Sequence, residues 1–500
     1  LASLGVDAIW ITPCFPSPQV DFGYDVSDYR NIDSQYGTLA DFDRLVAEGK
    51  KRNIKVILDF VVNHSSDKHR WFVESAKSKT NPYHDYYIWR DGKAPNVPPN
   101  NWTSTFGGPS WTFDPQLNQW YYHYFYPQQP DLNWRNPKVE KEMFDITRFW
   151  YKRGVYGFRL DAVDTLFEDP KLADNPARPG DGKDPYGMPL QEHINDHRMD
   201  EVHAELQKLR KVADDYPGRV LVGETWSSTP EKLVEYYGPQ NNELQMPMFL
   251  NMTTVKTLDA SVFRQKVNAV EKNTVGGWPV FVLSNHDIRR HVSRYATPGT
   301  EDQIAKLMGA FYLTLRGTPV MYYGEEIGMV NNDPTRVEDV KDVIGKKGWP
   351  VEKGRDGERT PMQWTAGVNA GFNSGTKTWL PVAPSYQQRN VQSENADTKS
   401  VLNWYRKLIA LRRDNVGIAD GDFKLVNESD PSVLSFVRSN GSDAVLVVLN
   451  MSGSPQTAKF DSSAVHGTHG KVLASTSDTS SININSVSLE PYGVVIAQMQ

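Results

Sequence analysis

The chain has 500 residues, with 61 acidic against 55 basic side chains for a net charge of −6, and one cysteine, Cys14. That length exceeds one ordinary domain, the even mixing of charges argues against a nucleic-acid partner, and a lone cysteine rules out an intrachain disulfide. No run of 18 apolar residues is available to span a bilayer, and the 14 Trp, 23 Tyr and 20 Phe suit a large core or the apolar faces of sugars.

The chain starts at Leu1 without Met or a signal-peptide pattern, and Ala2, Leu4 and Gly5 read as the tail of a helix. A missing natural N-terminus is the expectation. A single cysteine fits a reducing compartment, so a cytoplasmic setting is expected, with a periplasmic or secreted one as the alternative.

Residues 6–11 and 55–61 are apolar runs of strand length. Between them Thr38 serves as N-cap with Asp41 three residues on, and Leu39, Phe42, Leu45, Val46 and Gly49 share one helical face. This is a βαβ unit. Residues 65–130 are rich in Pro, Asn, Trp and Tyr, lack periodicity and are too long for a simple loop, so an inserted subdomain is predicted. Regularity returns at Asn136-Pro137, an N-cap with Pro at the first helical position, followed by the stripe Val139, Met143, Ile146, Phe149/Trp150 and a closing Gly154. A strand at 157–161, a polar insertion at 169–200 and a helix near 199–212 follow. The runs 219–224, 279–287 and 318–326 each read as a strand ending in carboxylates, and a helix at 301–316 precedes the last of them.

The helix at 399–413 carries Val401, Trp404/Tyr405, Leu408 and Leu411 on one face. Beyond it, 433–438, an Asn440-Gly441 turn and 444–449 make a hairpin, and 491–498 reads as a closing strand. Alternating strands and helices with polar strand ends predict an α/β protein with a (β/α)8 TIM barrel, in two parts at 1–64 and 134–416. The inserted subdomain occupies 65–133 and an antiparallel C-terminal β-sandwich 417–500. About seven barrel strands are visible, so the first is expected to lie outside this chain. A doubly wound sheet is disfavoured because no G-x-G-x-x-G or Walker motif follows any strand.

Strand ends supply Asn63/His64, Arg159/Asp161, Glu224 and His286/Asp287, which a barrel gathers on one face. Carboxylates, imidazoles and a guanidinium, with no thiol or Ser–His pair, fit glycoside hydrolysis, which needs one ionised carboxylate and one carboxylic acid. Arg159, two residues before Asp161, would keep Asp161 ionised. Glu224, with no basic neighbour in sequence, is the better acid. The spacings H-x-x-x-H and H-E-x-x-H are missing, which ranks a metal hydrolase lower.

The segments Asp59-Phe-Val-Val-Asn-His64, Gly157-Phe-Arg-Leu-Asp161, Gly223-Glu224-Thr-Trp and Ser284-Asn-His-Asp287 resemble, in order, the four motif regions of the α-amylase family of glycoside hydrolases. Gln129-Pro-Asp-Leu-Asn133, the stretch 21–29 (Asp21-Phe-Gly-Tyr-Asp-Val-Ser-Asp-Tyr29) and Arg359-Thr-Pro-Met-Gln-Trp364 are similar to segments of its oligo-1,6-glucosidase and α-glucosidase branch. The resemblance runs along essentially the whole chain.

By that resemblance Asp161 is the nucleophile, Glu224 the general acid/base and Asp287 the transition-state stabiliser. His64, Arg159 and His286 would hold the glucose in the cleavage subsite, with Tyr24 beneath it and Phe125 lining the pocket. Asp21 and Arg355 would pair at the far wall, closing the cleft so that single glucose units leave from non-reducing ends. Asp59 and Asp164 read as supports. The resemblance associates Val after the nucleophile with α-1,6 preference and a small residue with α-1,4, so Ala162 implies maltose-type substrates. Tyr156 replaces the family's usual Asp before the Gly-Phe-Arg run, and bears on support. The implied partner is an oligosaccharide or small α-glucoside. No cofactor or metal is expected within these residues, although a structural calcium could belong to the family's opening loop. A retaining exo-acting α-glucosidase is thus the expected activity. The alternatives are a transglucosylase or sucrose or trehalose isomerase, and a non-catalytic transporter heavy-chain-like ectodomain.

Overall fold

The computed structural model describes residues 1–180, 182–226, 229–274 and 276–500. Seven parallel strands pair in sequence order: β1 Ala8–Ile11, β2 Lys55–Val61, β3 Gly157–Asp161, β4 Val220–Gly223, β5 Met246–Phe249, β6 Val280–Val282 and β7 Thr318–Val320. The inner strands β2 and β3 are buried almost throughout, whereas every residue of the two edge strands, β1 and β7, is only half-buried. Trp10 from β1 and Val320 from β7 nevertheless reach one apolar cluster with Val222, Met248, Leu250, Val280 and Val282. The sheet therefore curls around a packed interior, which is the architecture of a (β/α)8 barrel with seven strands present.

Local chemistry sets the connections. Helix α1 (Leu39–Lys51) opens with a full capping box between Thr38 and Asp41. Of its expected stripe only Phe42 is fully buried, and Leu45 is 40% exposed, so that residue does not belong to the core face. Helix α2 (Pro137–Lys152) is capped by Asn136 and buries Val139, Met143, Ile146 and Trp150. β3 can lie against β4 because residue 157 is glycine: a Cβ there would sit 2.4 Å from the Val220 carbonyl oxygen. Tyr156 lies just before β3, at the amino end of the barrel, with Lys55 Nζ over its ring at 4.4 Å, remote from the strand's carboxyl end.

Within residues 65–133 a small three-stranded sheet forms from Trp89–Arg90, Gln119–Tyr122 and Trp111–Asp114. Trp102, Trp111 and Tyr122 pack together there, so these aromatics serve as core. At the other end of the chain a six-stranded antiparallel sheet faces a two-stranded one. The hairpin is Val433–Asn440 with Asp443–Asn450, and the last strand, Val494–Met499, lies inside the sheet against Asp443–Asn450. Both faces are buried. Val433, Val437, Leu446 and Val448 face Val487 and Leu489 of the small sheet, while Leu434, Phe436, Val445 and Val447 join the barrel helices. That explains why the run Ala444–Leu449 lacks a polar face. Arg438 and Arg412 seal this junction by donating to the carbonyls of Thr314, Leu313 and Leu315 at the carboxyl end of the helix Glu301–Thr314, where a cation is favoured. Among the described residues no helix is long and apolar enough to cross a membrane.

One buried acid near this junction gives a stability test. Glu394 accepts a hydrogen bond from Leu402 N–H at 2.9 Å, and burial pushes its carboxyl up from 4.5 to about 8. An acid raised in the folded state contributes stability fully below its unfolded value and loses it as pH climbs through the folded value. Glu394→Gln, which keeps an acceptor for Leu402, is therefore expected to raise the melting temperature by about 2–4 °C at pH 9 and to change it little at pH 5. Melting curves at the two pH values check this, and equal shifts would rule it out.

Candidate active site

The strand ends build the site. Pairing of β2 with β3 sets Asp59 beside Arg159 and Val61 beside Asp161. Glu224 N–H bonds the Leu160 carbonyl at 2.9 Å, which extends β4 by one residue and brings Glu224 next to the end of β3. Arg159 lies under this floor, 1% exposed, and its guanidinium meets three carboxylates. It stands 2.6 Å from Asp161 Oδ1, 3.1 Å from Asp59 Oδ1 and 2.8 Å from Glu224 Oε2. The chain then turns sharply, with Ala162 in the left-handed region at φ 48°, and this aims the Ala162 N–H at Glu224 Oε2, 3.0 Å away. A side-chain-bearing residue held there carries strain of about 1–3 kcal/mol, a cost found at sites that must fix a geometry.

The charges follow from this crowding. Asp161 is pushed well up by burial and by the carboxylates of Glu224 and Asp59, with Arg159 pulling the other way. Arg159, expected to keep Asp161 ionised, does pull in that direction, but its guanidinium is divided among three acids. Asp59, also buried, is raised to about 6. One cation among three acids cannot stabilise three negative charges in a buried space, so the cluster takes up a proton, which is the state that acid/base chemistry needs. Asp287 contrasts with it. Burial alone would raise it, but His286, Arg355, Arg359 and Arg159 hold it well below the usual carboxylate range. His64 and His286 are both lowered to about 3, chiefly by burial, and are neutral at physiological pH.

The wall opposite the open side is a chain of ion pairs. Arg355 donates to Asp21 Oδ1 at 2.7 Å, Asp287 Oδ1 at 2.8 Å and Asp342 Oδ2 at 2.8 Å. Gln129 Nε2 donates to Asp21 Oδ2 at 3.1 Å and lies 3.1 Å from His64 Nε2. Tyr24 stacks on His286 with ring centroids 5.3 Å apart and donates its hydroxyl to Asp59 Oδ2 at 2.9 Å.

These groups surround one cavity of about 740 Å³. Among the residues singled out from sequence, Asp21, Tyr24, His64, Phe125, Asp161, Ala162, Glu224, Asp287 and Arg355 line it. Arg159 and His286 lie behind the lining, where they support Asp161 and Tyr24. Asp164, read as a support, also borders the cavity and accepts the Trp226 N–H at 2.9 Å. Sequence reasoning missed Gln129, although its motif was noticed, and Asp342, which no motif marks. It also missed Phe106, beside Arg355, and Trp226, both of which line the cavity. The Trp226 indole N–H donates to Glu224 Oε1 at 3.2 Å, and it belongs to the motif Gly223-Glu224-Thr-Trp, which was noticed without giving it a role.

Comparison with known proteins places this geometry. The α-amylase catalytic domain matches residues 1–421, and the maltogenic amylase C-terminal domain matches residues 423–496. A probable α-glucosidase of Rhizobium meliloti is 40% identical, covering 92% of this chain and 84% of its own length. An oligo-1,6-glucosidase of Parageobacillus thermoglucosidasius is 37% identical, covering 98% of this chain and 91% of its own. The crystal structure of an α-glucosyl transfer enzyme, XgtA, superposes with a TM-score of 0.91 at 36% identity, over 100% of this chain and 93% of the other. Four strand-end motifs in order, one cavity lined by a residue of each and matches spanning both parts of the chain agree: this is an enzyme of the α-amylase family of glycoside hydrolases, in its oligo-1,6-glucosidase and α-glucosidase branch.

Proposed function

We propose that the enzyme is a retaining, exo-acting α-glucosidase that releases glucose from short α-glucosides by double displacement. The observation that carries this reading is the shared guanidinium: Arg159 touches both Asp161 and Glu224, so the two carboxyls are neighbours. Adjacent carboxyls suit a covalent intermediate, for which the separation is about 5–5.5 Å, better than a water-spaced inverting pair at about 6.5–9.5 Å. In the first step Asp161 attacks the anomeric carbon while Glu224 gives its proton to the departing oxygen. In the second, Glu224 takes a proton from water, which displaces Asp161. Asp287, kept anionic by its basic neighbours, stabilises the positive charge that develops on the glucosyl ring.

Exo action is supported by the Asp21–Arg355 pair, 2.7 Å apart, which would close the cavity beyond one glucose. Acidic residues outnumber Arg and Lys around the cavity by eight to four, which favours an uncharged glycoside over a phosphorylated one. Ala162 borders the cavity beside Asp161 and favours α-1,4 linkages by leaving room for the departing sugar. Transfer of the glucosyl group to a sugar is the second reading, supported by the likeness to an α-glucosyl transfer enzyme.

Rates on maltose and isomaltose, with product analysis at high maltose, test both readings. Ala162→Val is expected to raise the isomaltose-to-maltose ratio of kcat/KM by about tenfold, within the range one pocket contact can deliver. It should also cost about 1–2 kcal/mol of stability, because a β-branched residue is strained at φ 48°. A wild type that prefers isomaltose, or a ratio that Val leaves unchanged, would remove the role given to Ala162.

A further inference from the structure

Beyond the catalytic carboxyls, a second polar group borders the cavity on its open side. Glu358 is 4% exposed, yet it lines the cavity. Its Oε2 accepts from Asn331 Nδ2 at 2.9 Å, and its own backbone N–H is a second donor to the carboxyl. Asn331 also donates to Asp333 Oδ1 at 3.1 Å and accepts the Arg290 N–H at 2.9 Å, tying together the loops after β6, after β7 and before residue 359. Asp333 in turn pairs with Arg289, two residues beyond Asp287. The approach of these loops depends on Gly357, where a Cβ would sit 2.1 Å from Asp333 Oδ1. The Arg289 and Asp333 side chains keep 47% and 31% exposure, so this cluster faces the mouth and not the end sealed by Asp21 and Arg355.

We propose that Glu358, Asn331 and the Arg289–Asp333 pair form the polar wall of the subsite for the leaving sugar, with the Glu358 carboxyl bonding one of its hydroxyls. This rests on the α-glucosidase reading, in which the terminal glucose fills the sealed end and the second sugar must occupy the mouth. A buried carboxyl held by Asn331 at a cavity wall is placed to meet a ligand hydroxyl, since burying an acid is costly unless its oxygens find hydrogen bonds. Burial also raises Glu358 to about 8, opposed by Arg359, its own backbone N–H and the Asn331 bond and reinforced by Asp333. At neutral pH it is therefore the acid form, a donor. Above pH 8 it becomes an acceptor facing the Asp333 charge. The other groups against it are the Arg290 guanidinium and the Tyr322 and Tyr323 hydroxyls, all directed to its backbone carbonyl, so the change falls on the side-chain oxygens.

The test compares kcat/KM for maltose with that for 4-nitrophenyl α-glucoside, whose leaving group carries no sugar hydroxyls. Glu358→Leu is expected to lower the maltose-to-aryl ratio about tenfold, and Arg289→Ala, at the exposed end where folding is safe, about threefold. Glu358→Gln, which retains both an acceptor for Asn331 and a donor, restores the ratio to within about threefold of wild type. In the wild type the ratio falls as pH rises through 8, and in Glu358→Gln it stays flat. If Glu358→Leu depresses both substrates equally, or if the ratio and its pH dependence do not move, the subsite is overturned while the glucosidase reading stands. A wild type inert towards both substrates overturns both.

Discussion

Asp161→Ala is expected to lower kcat on maltose by at least about 10⁴-fold, or about 5.5 kcal/mol of transition-state stabilisation. Removing the nucleophile leaves a methyl where the carboxylate met Arg159 at 2.6 Å, and Glu224 retains its contact with the guanidinium. A small anion such as azide can enter that space and attack the anomeric carbon from the face Asp161 used. The C–N bond forms as the glycosidic C–O bond breaks, and Glu224 delivers its proton to the leaving oxygen. The product is β-glucosyl azide, identified by its anomeric proton in NMR. The variant should fold at least as well as the wild type, because one of three acids competing for Arg159 is gone and the remaining two keep the cation paired. Unfolding temperature thus separates chemistry from damage. Near-normal hydrolysis of maltose, or azide captured as the α-anomer, would sink the assignment of Asp161.

Much of this was legible because barrel strands carry their chemistry at a fixed end. The apolar runs 157–161 and 219–223 predicted β3 and β4, and the residues that stop them are the ones that face the cavity. β5 escaped notice because Met-Pro-Met-Phe carries none of the usual strand signals and includes a proline. The C-terminal sheet was legible as strands, but its burial on both faces was not, since period two records one buried face only. Electrostatics was the least legible part. Glu224 has no basic neighbour along the chain, yet the fold sets it 2.8 Å from Arg159, 65 positions away. The left-handed turn at Ala162 was equally hidden, because nothing about alanine signals a positive φ. What that turn accomplishes, an N–H aimed at Glu224, exists only once β3 and β4 are paired.

That N–H bears on the second large effect. Glu224→Ala is expected to cut kcat on maltose about 10³–10⁴-fold, within the range of a lost general acid and base. Its effect on 4-nitrophenyl α-glucoside should be split between steps. Nitrophenolate departs without a proton, so formation of the glucosyl-Asp161 ester survives, while its hydrolysis lacks the base that activates water. The ester then accumulates and the reaction shows a burst of nitrophenolate equal to the enzyme, followed by a slow phase. Azide needs no base, so it should speed the slow phase and attack from the face vacated by the leaving group. This gives α-glucosyl azide, the opposite anomer from that expected with Asp161→Ala. Opposite anomers from two substitutions flanking one guanidinium would place the two carboxyls on opposite faces of the sugar, which no loss of folding can imitate. A variant that loses activity equally on maltose and on the aryl glucoside, with no burst, would show that Glu224 supports the site without carrying the proton.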